Sequence, residues 1–109
     1  MKILLDESLP RKLKMDFEVD HEVWTVRDKG WLGKKNGDLL KLMIDNGFEL
    51  FVTVDQNLQY QQRIENLPLT IAILCGSDNR RSTLQYLIPF LFSRLNQGNL
   101  PNVIEISAD

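Results

Sequence analysis

Lys2-Ile3-Leu4-Leu5-Asp6-Glu7-Ser8-Leu9-Pro10 decides how this chain is read. Residues 2–5 are almost wholly apolar, as expected of a strand covered on both faces of a sheet. The run closes on a carboxylate, Asp6. Ser8 is then placed to cap a helix, and Pro10 is tolerated in its first turn. A second run, Leu50-Phe51-Val52-Thr53-Val54-Asp55, repeats the pattern of buried strand and terminal acid. In open α/β sheets ligands bind beyond the carboxyl ends of the strands, so both acids fall where a site belongs.

Working outward, Leu9, Leu13 and Phe17 recur at i, i+4 and i+8, which predicts the buried stripe of a first helix. His21 to Val26 reads as a second strand, and Arg27 to Lys35 as a loop around Trp31. Asn36 is a candidate N-cap for a helix through about Asn46, with Leu39, Leu40, Met43 and Ile44 apolar and Gly47 ending it. Glu49 to Val54 is the third strand, Gln56 to Asn66 a short polar helix, and Leu69 to Cys75 the fourth strand. Ser82-Thr83-Leu84-Gln85 fits a capping box. Pro89 conflicts with an unbroken helix beyond it, so that helix either kinks or begins near Leu87. Val103 to Ile106 is the fifth strand. The alternation of strands and helices predicts right-handed crossovers and a mostly parallel sheet of about five strands, flanked by helices.

The 109 residues argue for a single domain, 1–109. No apolar stretch reaches membrane-spanning length, and the N-terminus lacks the regions of a signal peptide. The single cysteine, Cys75, has no partner for an internal disulfide, which makes a cytoplasmic location the simple expectation. A net charge of −2 provides no global attraction for nucleic acid. The cations are unevenly placed, however. Every lysine lies within residues 1–41, and Arg11, Lys12, Lys14, Lys34 and Lys35 could form a basic side that contacts phosphates.

Asp38 belongs to the first turn of the helix entering the third strand, so it should face the same edge as Asp6 and Asp55. Phosphodiester hydrolysis needs a nucleophilic water and neutralised charge, both of which Mg2+ or Mn2+ can supply. Those ions take oxygen ligands, whereas one His and one Cys argue against zinc. Each acid also has a plainer reading, because Asp6 and Asp55 can cap the following segment and Asp38 suits a helix N-terminus.

Four segments together resemble the small prokaryotic PIN-like domain family, which is related to the PIN-domain ribonucleases that act as toxins in type II toxin–antitoxin pairs. They are Lys2 to Pro10, Arg27-Asp28-Lys29-Gly30-Trp31, Asn36-Gly37-Asp38-Leu39-Leu40, and Thr53 to Leu58 with Tyr60-Gln61-Gln62. The resemblance covers nearly the whole chain. It implies a three-layer α/β/α sandwich and a Mg2+- or Mn2+-dependent endoribonuclease-like site. The catalytic and metal-holding acids would be Asp6, Asp38 and Asp55, with Asn57 standing where the family usually has a fourth acid. RNA is then the expected substrate, and an antitoxin protein and a second copy of the chain are the expected partners.

Around this site, Thr53 shares a strand face with Asp55 and could orient a carboxylate. Glu7 is a more distant supporting acid. Arg27, Arg80, Arg81 and Lys35 are candidates for contacts with RNA phosphates. Two other functions use the same residues. A catalytically degenerate PIN-like module would bind RNA or protein without cutting, as the amide at Asn57 suggests. A receiver-like domain would accept phosphate on Asp55, but receivers also need a lysine after the fifth strand, and none follows Lys41.

Overall fold

The computed structural model describes residues 1–17, 21–58 and 67–108. Strands β1 (Lys2–Leu5), β2 (Glu22–Thr25), β3 (Leu50–Thr53), β4 (Thr70–Leu74) and β5 (Val103–Ile106) form one all-parallel sheet, ordered β2-β1-β3-β4-β5. Each lies at or within one residue of its expected bounds. The expected helix over Gln56–Asn66 lies outside the described residues beyond Leu58, as do Tyr60, Gln61 and Gln62.

Period-two alternation divides the core between the two faces of the sheet. Ile3, Leu5, Leu50, Val52, Ala72 and Leu74 point to one face, where Leu9, Leu13 and Phe17 meet Leu84, Leu87, Ile88 and Leu91. Leu4, Phe51, Ile71 and Ile73 point to the other, against Leu39, Leu40 and Met43. The first face is therefore covered by a 3-10 helix (Arg11–Asp16) and by α2 (Arg81–Asn96), the second by α1 (Asn36–Asp45). Three layers result.

The crossovers do not share one hand. From β2 to β3 and from β4 to β5 the chain moves in the same direction across the sheet. Yet α1 and α2 pack on opposite faces, so these two connections are of opposite handedness. The strand order is that of flavodoxin-like sheets, but the placement of α2 departs from a regular doubly wound pattern and corrects the expectation of uniformly right-handed crossovers. Gly76 permits the turn that sends α2 to its face. A Cβ there would come within 2.9 Å of Thr83 Cγ2 and 3.1 Å of the Asp78 carbonyl oxygen.

Several helix termini differ from the sequence reading. The Leu9, Leu13 and Phe17 stripe is buried as expected, but its backbone is a 3-10 turn starting after Pro10, with no side-chain cap. Lys35, not Asn36, is the N-cap of α1, again without a side-chain cap bond. Helix α2 begins at Arg81 and runs through Pro89, one residue ahead of the expected capping box. Pro89 is exposed, where water can satisfy the carbonyl left without a donor.

The end of α1 follows the expected glycine stop. Phe48 N–H donates to the Met43 carbonyl at 2.9 Å and Gly47 N–H to the Ile44 carbonyl at 3.1 Å, the paired bonds of a Schellman motif. Gly47 has φ +78°. Gly47→Ala therefore costs about 1–2 kcal/mol, the penalty for a Cβ in the left-handed region, and lowers the urea midpoint with an unchanged m-value. Beyond α1, Lys29 Nζ lies 5.0 Å from the Trp24 ring and 5.4 Å from the Trp31 ring, which ties the Arg27–Lys35 loop to the core. Among the described residues no helix is long and apolar enough to cross a membrane.

Candidate functional site

The sheet reverses its direction of growth between β1 and β3, so a crevice opens beyond their carboxyl ends. Asp6 leaves β1 there, its N–H donating to the Val52 carbonyl at 2.9 Å. Thr53, the last residue of β3, is fully buried. Its hydroxyl donates to Asp6 Oδ2 at 2.7 Å and accepts from the Asp55 N–H at 3.0 Å. The Ser8 hydroxyl donates to the same Asp6 oxygen at 2.9 Å. Asp55 Oδ1 accepts the Asn57 N–H at 3.0 Å. One hydroxyl thus couples the ends of two neighbouring strands, and it orients Asp6 rather than Asp55.

Asp6 does not cap the following helix with its side chain, since Oδ2 receives two hydroxyls. Ser8, expected as that cap, belongs to the site instead, and only its spacing two residues after Asp6 could have signalled this. Asp55 closes a local turn through Asn57, and the segment it was expected to cap lies outside the described residues beyond Leu58. Neither Asp6 Oδ1 nor Asp55 Oδ2 has a hydrogen bond among the described residues.

Asp38 occupies the first turn of α1 and is exposed. The topology carries that turn to the same edge, on the face shared by Leu4 and Phe51. Among the described residues, however, no three His, Cys, Asp or Glu side chains gather into a group that could hold a metal. Two acids are brought to adjacent strand ends. The third, Asp38, comes to that edge from a different element, α1.

A cleft of about 300 Å³ adjoins Asp6 on the side of the 3-10 helix, between the ends of β1 and β2. Its walls include Glu7, Arg11, Lys14, Arg27 and Asp28. Asp28 fastens the end of β2. Its Oδ2 accepts the Thr25 N–H and the Lys14 ammonium, each at 2.9 Å, while its own N–H donates to the Thr25 hydroxyl at 2.9 Å. The Lys14 bond, joined by that of the Thr25 backbone, holds the Asp28 carboxyl below its ordinary value of 3.8. A lowered carboxylate stabilises the fold above the unfolded value and ceases to do so as pH falls through the folded one. The difference in urea midpoint between wild type and Asp28→Asn is accordingly largest near neutrality and shrinks below pH 3.8.

The remaining cationic candidates divide. Arg81 is committed to Asp16, with Nε and Nη2 each 3.3 Å from its carboxylate, and Gln85 joins at 2.8 Å. It therefore clamps the 3-10 helix to α2 rather than standing open for phosphate. Arg80 is exposed at the N-cap of α2, with Nε 4.0 Å from Asp78. Bonds from Thr83 and from the Arg80 backbone hold the Asp78 carboxyl below its usual range. Lys35 is exposed at the N-cap of α1, and Glu7 is exposed beside Asp6. Trp31 packs edge-on against Phe48 at 5.9 Å, which anchors its loop to the core. Burial, with Glu105 nearby, pushes the Cys75 thiol up, which makes it a poor nucleophile.

Comparison with protein-family models, with curated proteins and with solved structures finds no match for this chain.

Proposed function

We propose that the chain is a Mg2+- or Mn2+-dependent PIN-like endoribonuclease, with a toxin–antitoxin pair as its setting. The observation that carries this reading is the Asp6–Thr53–Asp55 arrangement at the switch point. Mg2+ is commonly held by one or two carboxylates, with waters and substrate phosphate completing its shell. Asp6 and Asp55 each retain a carboxylate oxygen outside the hydrogen-bond network, which leaves both oxygens available to such an ion. Asn57 and Asp38 are the further candidates to supplement it. When bound, the ion would neutralise phosphate charge and activate a water. Thr53 and Ser8 fix the rotation of the Asp6 carboxylate, and the Asn57 N–H fixes that of Asp55. Single-stranded RNA incubated with the protein and Mn2+ is cleaved on this reading, and cleavage stops with EDTA. An uncut RNA at saturating Mn2+ overturns it.

A second reading draws on the two-acid geometry and the amide at Asn57. On it, the chain is a catalytically degenerate module that binds RNA or a protein partner. Calorimetry separates the two: heat of Mn2+ binding lost in Asp6→Asn favours the nuclease, and no heat at millimolar metal favours the binding module.

A further inference from the structure

We infer that the cleft beside Asp6 seats one phosphate group of an RNA strand, gripped by Arg11 and Arg27. Arg11 opens the 3-10 helix and Arg27 follows β2, so two elements deliver the two guanidiniums to one cavity. Among the described residues neither makes an ion pair or hydrogen bond. That is unusual beside three carboxylates. Asp28 is taken by Lys14, Asp6 Oδ2 by two hydroxyls, and Glu7 is left exposed.

Guanidinium forks match phosphate oxygens in bidentate fashion and shed water more readily than ammonium groups. At about 300 Å³ the cleft stands at the small end of ligand pockets. It suits a phosphate with its sugar rather than a duplex. Asp6 belongs both to this cleft and to the acidic site, so a strand held here passes the candidate metal ligands. The inference rests on the ribonuclease reading for its choice of ligand. An internal diester and a terminal monoester offer the same oxygens, and the experiment separates them.

The test is fluorescence anisotropy in EDTA, where binding is read without cleavage, using short single-stranded RNA with a 5′-phosphate or a 5′-hydroxyl. Arg11→Ala and Arg27→Ala should each weaken binding about tenfold, the range of a lost hydrogen bond to a charged group, whatever the base sequence. Because both grip one phosphate, the double variant should reduce the log–log salt slope by about 0.7, the value for one neutralised phosphate on a single strand. Lys41→Ala, on an exposed position of α1, controls for general charge and should bind as wild type. Losses confined to 5′-phosphorylated RNA assign the monoester, and losses with both strands assign the diester; either result upholds the cleft. A double variant with wild-type affinity and slope overturns it, as does an equal loss in Lys41→Ala. So does an acidic peptide that binds through both arginines while RNA does not. Should alanine impair folding, Arg11→Gln and Arg27→Gln make the same test with the stems retained. The ribonuclease reading fails separately. If the arginine variants lose RNA binding but the wild type never cuts with Mn2+, the cleft stands and catalysis falls. If Asp6→Asn abolishes cutting while the double variant binds normally, the reverse holds.

Discussion

If the chain is the proposed ribonuclease, Asp6→Asn should lower Mn2+-dependent RNA cleavage by at least about a hundredfold, the range seen when one preorganised electrostatic group is removed from an active site. The substitution keeps an oxygen able to accept the Thr53 and Ser8 hydroxyls, so the strand-end network survives. What disappears is the negative charge. The thermal midpoint should therefore stay within a few degrees of wild type while metal-binding heat and cleavage fall together. Cleavage that persists at wild-type rate in Asp6→Asn, under metal saturation, would remove Asp6 from the site.

Phe17→Ala should produce a large loss of stability. Phe17 is fully buried, with its ring 5.7 Å from Phe92 in an edge-to-face pair. Truncating a buried phenylalanine costs about 3–5 kcal/mol in lost burial and residual cavity. Domains of this size hold about 5–15 kcal/mol in all, and the thermal midpoint should drop by roughly 12–25 °C. The effect reaches beyond the core. Phe17, with Leu9, Leu13 and the Arg81–Asp16 clamp, holds the 3-10 helix on the sheet, and that helix carries Arg11 and Lys14 into the cleft. A drop of only a few degrees would mean that Leu9, Leu13 and the ion pair hold the helix without Phe17.

The strands were legible because burial on both faces of a parallel sheet demands continuous apolar runs, and little else in a short chain produces them. Asp6 and Asp55 were legible for the same reason, as the polar residues that end such runs. Helix termini were read less well. Ser8, Asn36 and Ser82 each have the chemistry of a cap, but none caps: Ser8 finds Asp6, while α1 and α2 start at Asn36 and Arg81 behind Lys35 and Arg80. A capping residue is a local preference of about 1 kcal/mol, easily overridden by a competing partner. Arg81 was similarly ambiguous. An exposed-looking cation in a polar turn becomes a clamp only once Asp16, far away in sequence, is brought beside it.

The sequence by itself determined the α/β architecture, a mostly parallel sheet of about five strands and the two acids that end two of them, because hydrophobic periodicity and strand termination are properties of neighbours in the chain. Tertiary structure decided the rest. It placed α2 on the same face as the 3-10 helix, with a crossover opposite in hand to that through α1. It also joined Asp6 to Asp55 through Thr53 and gathered Arg11 and Arg27 around one cleft. Each of those depends on packing between segments distant in sequence, where a partner's position outweighs local preference.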